Sequence, residues 1–200
     1  MTPEASPDVR ARLLDATFVC LARVGIAKTS VDDIAREAGI SRATLYRHFG
    51  GKAELLEALG QRELTRLDAV FAAAVQDCAT VGAACSVLVV EGAEFLLDHP
   101  VLGTILAIEP TAITPLLSLG HADAFLTAAA ALVAPHLAAH VDDDAARLRG
   151  AELLVRITLS HLQSPNPQRS ITDPQVAQAI VDQYIVPGFV GKSAIERIQA

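Results

Sequence analysis

Cysteine is scarce in this 200-residue chain. Cys20, Cys78 and Cys85 are an odd number with no CxxC pair, which argues against a disulfide framework or a zinc ribbon. The expectation is reduced, mostly buried thiols. A redox partnership of Cys78 and Cys85, seven residues apart, needs an unbroken helix, and Gly82 stands between them. Long apolar runs are missing too. The longest uncharged stretch, 124–141, is rich in alanine, holds Pro135, His136 and His140, and ends at Asp142-Asp143-Asp144, so it predicts a soluble helix and no membrane partner. The N-terminus has Glu4, Asp8 and prolines where a secretory leader has a basic start and an apolar core, which leads us to expect a cytoplasmic protein. There is no glycine-rich phosphate loop, no GxSxG and no recognisable cysteine–histidine pair, so the reading is not an enzyme. His136 and His140 have zinc-ligand spacing, but the zincin glutamate and a third fixed ligand are lacking, and no metal or other cofactor is expected. No segment alternates apolar and polar residues as a strand would, so the fold class predicted is all-α.

What is present is apolar and unevenly charged. A hydrophobic content of 52% and a mean hydropathy of +0.38 are high for this length. The surplus has three destinations: an interior cavity, a subunit interface or a dense alanine-rich core. The net charge of −7 divides sharply along the chain, because the first sixty residues carry eight Lys/Arg and eight Asp/Glu, whereas the rest carries eight against fifteen. An acidic body behind a neutral head leaves room for a local basic face, and implies salt-dependent binding of polyanions with little nonspecific wrapping.

That basic face is found in Lys28 to Glu54, KTSVDDIAREAGISRATLYRHFGGKAE. Ser30 with Asp33 three residues later spells a capping box, and Ile34, Ala35 and Ala38 form the inner face of the short helix it opens. Gly39 stands where a helix ends in a left-handed residue, and Ile40 can fold back on the finished helix. Ser41 caps a second helix whose apolar residues, Leu45 and Phe49, recur four apart. Its outward set is Arg42, Thr44, Tyr46, Arg47 and His48, and no carboxylate lies between Ser41 and Gly51. Such a helix fits the major groove of duplex DNA with its N-terminal residues at base edges. Arg42, Ala43 and Thr44 are therefore candidates to read sequence, and Tyr46, Arg47, His48 and Lys52 to hold phosphates. The plainer alternative is a helix pair inside an ordinary helical protein with a solvated charged face.

These residues resemble the tetracycline-repressor (TetR) type of bacterial transcriptional regulator. The resemblance covers Val9 to Leu59: a lead helix ending at Val24-Gly25, then TSVDDIAREAGIS, then LYRHFGGKAELL. It implies that Thr29 or Ser30, Tyr46, His48 and Lys52 touch the DNA backbone, while Arg42, Ala43, Thr44 and Arg47 meet bases. One departure is Gly50-Gly51, where relatives place a polar cap before the next helix; glycine supplies no side chain for a phosphate. The organisation implied is an N-terminal three-helix helix-turn-helix domain, 1–51, followed by a helical effector-binding and dimerisation domain, 52–200.

Behind the head, helices are predicted from about Lys52 to Cys78, Val81 to Asp98, Val101 to Ile108, Ile113 to Leu119 and His121 to Ala139. Two more follow, one after Asp142–Asp144 and one opening at Asp173-Pro174. Pro110, Pro115 and Gly120 punctuate the middle of the body, which makes it the best place for the effector pocket that the resemblance implies. Phe95, Leu96, Leu102, Ile105, Leu106, Phe125 and Leu126 are candidate walls, with His99, Glu109, His121 and His161 as polar contacts; the plain alternative for each is core or cap. The effector implied is a hydrophobic small molecule. In the resembled family the last two long helices pair with their copies, so a homodimer is expected through roughly 142–187, with Leu148, Leu153, Ile157, Val176, Ile180 and Tyr184 at the interface. The expected function is a ligand-responsive homodimeric repressor on a palindromic operator. The alternatives are an activator on the same scaffold or, in a different class, an all-α enzyme or interaction module.

Overall fold

The computed structural model describes residues 7–109, 122–166 and 168–187, and these are helical, with no strand among them. Helix α1, Pro7–Lys28, carries an interruption at Gly25, whose φ of 79° and ψ of −175° end the regular helix after Val24. Helix α2 spans Val31–Glu37, α3 Arg42–His48 and α4 Lys52–Val75. They are followed by α5, Val81–Asp98, and α6, Pro100–Ile108. Helix α7 is Ala122–Val133, which tightens into a 3-10 turn at Ala134–Leu137 around Pro135. Helix α8 runs Asp144–Gln163, and α9 runs Pro174–Ile180 and continues as a π-helical turn over Val181–Ile185.

Two boundaries differ from the sequence reading. Helix α4 stops at Val75 rather than Cys78, because Gln76 and Cys78 turn back to bond the Ala73 and Val75 carbonyls. The helix expected from His121 ends at Val133, as Pro135 forces the tighter turn. Leu64 of α4 is 49% exposed. The segment expected as a helix over Ile113 to Leu119 lies outside the described residues.

The described chain divides into two compact units. The first holds the residues through Arg66 together with those from Leu97 to Glu109. It therefore takes in the first half of α4 and all of α6, beyond the 1–51 head expected from sequence. Its centre is an apolar cluster in which Leu13, Ile34, Leu45, Phe49 and Leu55 are at most 1% exposed. A second cluster explains why α6 belongs here: Leu21 of α1, Leu59 of α4, and Val101 and Ile105 of α6 bury one another. The other unit comprises Leu67–Leu96 and the described residues from Ala122 onward. Phe71, Leu88, Val89, Leu137, Leu154, Val181 and Ile185 are buried at its centre. Gly82 lets α5 approach the last helix closely: a Cβ there would lie 2.8 Å from Asp182 Oδ1. Cys20 and Cys85 are buried and Cys78 half-buried, all three as free thiols, and burial pushes the Cys85 thiol up to about 12. No helix among the described residues is long and apolar enough to cross a membrane.

Candidate nucleic-acid interface

Two serine caps and one glycine set the geometry of the head. Ser30 Oγ accepts from Asp33 N at 3.1 Å, and Asp33 accepts from Ser30 N at 3.2 Å, which closes the reciprocal cap. The Ser30 hydroxyl first, and then Arg36, hold the Asp33 carboxyl below its usual range. At the other end Gly39 takes φ 63°. Gly39 N bonds Arg36 O at 3.1 Å and Ile40 N bonds Ala35 O at 2.9 Å, the paired bonds of a Schellman ending. Ser41 Oγ then accepts from Thr44 N at 3.1 Å and starts α3. A seven-residue helix has little stability of its own, so α3 depends on Leu45 and Phe49, which anchor it in the head's core.

The opposite face of α3 is open. Arg42, Ala43, Tyr46 and Arg47 are exposed, and Thr44 and His48 half-buried. Arg42 Nη1 lies 3.1 Å from Asp32 Oδ2 of α2, and its guanidinium sits 5.5 Å from the centre of the Tyr46 ring. Tyr46 first, and then Asp32, favour the charged form of Arg42. Arg47 reaches Thr44 Oγ1 at 3.5 Å. His48 O accepts from Arg10 Nη1 at 3.1 Å, and the same guanidinium lies 4.2 Å over the Phe49 ring, so α1 braces the end of α3. His48 Nδ1 is buried with no hydrogen-bond partner among the described residues.

Two of the expected phosphate contacts are already engaged. Thr29 is only 2% exposed and its hydroxyl donates to Gly25 O at 2.6 Å, which leaves Ser30, exposed, as the side chain available at that corner. Lys52 Nζ donates to Ile26 O, which spends one of its three N–H donors within the head. Sequence reasoning also missed Glu54. Its carboxylate accepts from Gly50 N at 2.6 Å and does the capping that neither Gly50 nor Gly51 can do with a side chain. The signal was there to use: a Glu three to four residues after a glycine at a helix start.

Residues 13–59 match the family described as bacterial regulatory proteins, tetR family. They are a TetR-family DNA-binding domain. Over 58 residues the chain is 40% identical to the HTH-type transcriptional regulator TtgR of Pseudomonas putida, a stretch that is 29% of this chain and 28% of TtgR. The match thus spans under a third of that relative's length. The similarity in fold reaches further. Over 92% of the chain it superposes on the regulator SCO7518 from Streptomyces coelicolor A3(2), covering 100% of that chain with a TM-score of 0.65 at 23% identity. It also superposes on the TetR family repressor AlkX from a Dietzia strain, implicated in biodegradation of n-alkanes, over 92% of this chain and 94% of that one, with a TM-score of 0.62 at 20% identity. The all-α fold with its TetR-type head is that of these structures.

Outside the TetR-type head, the expected pocket residues fall in both compact units. In the first unit, Ile105 is buried in the cluster with Leu21 and Leu59, Leu102 is half-buried, and Leu106 is 53% exposed. His99 is 7% exposed, caps α6 by accepting from Leu102 N at 3.3 Å through Nδ1, and faces Glu63 at 3.5 Å. Glu109 is committed to α1, accepting from Ile26 N at 3.2 Å and Ala27 N at 2.9 Å. In the second unit Leu126 is buried, Phe95, Leu96, Phe125 and His161 are half-buried, and His161 Nδ1 lies 2.9 Å from Ile157 O. His121 lies outside the described residues. His136, considered as a zinc ligand, places Nε2 2.9 Å from Asp68 Oδ1. Of the expected dimer residues, Leu148, Leu153 and Tyr184 are 42%, 40% and 59% exposed, and Ile157, Val176 and Ile180 are half-buried, so apolar surface remains on α8 and α9 of this single chain.

Proposed function

We propose that this chain is a transcriptional regulator of TetR type, a homodimeric repressor that binds a palindromic operator through α3 and leaves it when a hydrophobic small molecule occupies the body. The observation that carries the reading is the outer face of α3. Arg42, Ala43, Tyr46 and Arg47 are exposed on a Ser41-capped two-turn helix whose only buried residue is Leu45. Such a face offers donors to base edges and phosphates, and α3 itself carries no acid to repel them. Dimerisation is supported by the exposed Leu148, Leu153 and Tyr184, and by reading geometry: one short helix touches few bases, and two heads address half-sites about 34 Å apart.

The route from effector to operator runs through α6. Thr104 Oγ1 donates to Ala22 O at 2.6 Å, and Glu109 grips the amides of Ile26 and Ala27 just ahead of α2. A ligand that shifts α6 pulls on the end of α1, and with it on the turn that starts the helix-turn-helix. To empty the operator the ligand must prefer the shifted geometry; a hundredfold preference corresponds to about 2.7 kcal/mol.

The test is selection of bound duplexes from a random pool, followed by titration of the selected site across salt concentrations. Enrichment of a palindrome with half-sites about one helical turn apart is the expected result. A folded protein that enriches no sequence, and whose DNA affinity shows no salt dependence, refutes the reading.

A further inference from the structure

Asp32 and Asp33 are neighbours in the first turn of α2 and do different things. Asp33 closes the capping box with Ser30, so the cap already accounts for the acid that a helix start prefers. Asp32 plays no part in it. Its side chain, 54% exposed, reaches across to α3 and takes Arg42 Nη1 at 3.1 Å. An exposed ion pair of this kind contributes little to stability, while a carboxylate beside the DNA-reading face repels phosphates. The arrangement has a cost for binding and no structural return, unless the carboxylate serves the arginine itself.

We infer that Asp32 is a positioning residue for Arg42: its carboxylate on one Nη, with the Tyr46 ring alongside the guanidinium, holds the side chain so that its remaining N–H donors meet O6 and N7 of one guanine. The inference rests on α3 being the recognition helix. Guanine is the base whose major-groove edge carries two adjacent acceptors, and an arginine fork reads it only when both donors arrive together in its plane. A free arginine side chain scatters over many rotamers and delivers charge without orientation. Tied to Asp32, the guanidinium keeps its charge but presents a weaker net field to phosphates, and it gains direction, which exchanges general affinity for discrimination.

The experiment uses the full chain and the duplex selected by the wild type. Affinities are measured for that duplex, for one with each guanine in turn replaced, and for a scrambled duplex, with Asp32→Ala, Arg42→Ala and the double variant. Asp32→Ala is expected to lower the preference for the selected guanine by about tenfold, within the span of a single bidentate base contact, while scrambled DNA is bound as well or better. In the Arg42→Ala background the same substitution is expected to change the preference by less than about twofold, the signature of one shared interaction. An Asp32 that merely repels phosphates would tighten selected and scrambled duplexes by the same factor, and that outcome overturns the inference, as does an undiminished effect without Arg42. An unchanged unfolding midpoint in Asp32→Ala separates positioning from a folding defect, and a lowered midpoint that accounts for lost binding on every duplex alike also overturns it. A folded wild type that selects no site removes the underlying reading of α3 itself.

Discussion

Gly25→Ala should be among the costliest single-methyl additions in the first unit. The position has φ 79° and ψ −175°, a region open almost solely to glycine, and forcing alanine into it costs about 1–3 kcal/mol. The new Cβ would also lie 2.5 Å from Glu109 Oε1 and 3.0 Å from Ile108 Cδ1. Glu109 can swing away, but then the amides of Ile26 and Ala27 lose their acceptor. Two charge-assisted bonds, discounted for their partial exposure, contribute about 1–2 kcal/mol together. The substitution is therefore expected to destabilise by about 2–5 kcal/mol in all. A double-mutant cycle in urea separates the parts. Glu109→Ala alone should cost only the lost bonds, about 1–2 kcal/mol. In the Gly25→Ala background it should cost nothing further, because the alanine has already displaced the carboxylate. Fully additive costs would mean that Glu109 and Gly25 do not share this contact, and the coupling of α6 to the end of α1 would lose its physical basis.

Lys52→Ala removes both a bond to Ile26 O and a cation proposed to lie near the phosphates, so we expect a lower unfolding midpoint together with equal weakening on selected and scrambled DNA and a flatter salt slope. A lower midpoint with an unchanged slope would take Lys52 off the DNA. Glu54→Gln keeps an acceptor for Gly50 N and removes a negative charge from the start of α4; DNA of every sequence should bind about twofold to fivefold tighter at low salt, the gain fading at high salt. No change at low salt would place the α4 start away from phosphate. Burial holds the His99 imidazole below its ordinary pKa, against the opposing pull of Glu63. The unfolded chain then binds the proton more readily, so the stability His99 contributes is complete above about pH 6.5 and is lost as pH falls below it. Unfolding midpoints between pH 7.5 and 5 should fall less steeply in His99→Asn, which keeps a cap on α6. An equal fall would assign the acid sensitivity to other groups.

The parts of the head that were legible in the sequence are those whose partners lie within five residues. Ser30 with Asp33, Gly39 with Ile40, and Ser41 with Thr44 each complete their bonds inside one turn, so residue type and spacing suffice. The parts that were not legible are joined across the chain. Glu109 meets α1 from 82 and 83 residues away, and no local pattern distinguishes it from a polar residue beside a pocket. Thr29 looks like surface in sequence and is buried, its hydroxyl donating back to the Gly25 carbonyl at the break in α1. The unit boundary within α4 was hidden for a related reason: an unbroken helical pattern gives no sign that Leu59 packs with Val101 and Ile105 of α6.

Leu45 and Phe49 carry the folding of α3, the helix proposed to read DNA, while Ala43 and Arg47 stand clear of the core. Substitutions at those two outward positions therefore draw little on the stability reserve of the head, and its preferred site can drift from one lineage to another without a compensating change in the core. Position 42 is the exception. Its partner sits on another helix, so a lineage that replaces the arginine inherits an aspartate with nothing to hold, and the two positions are expected to change together.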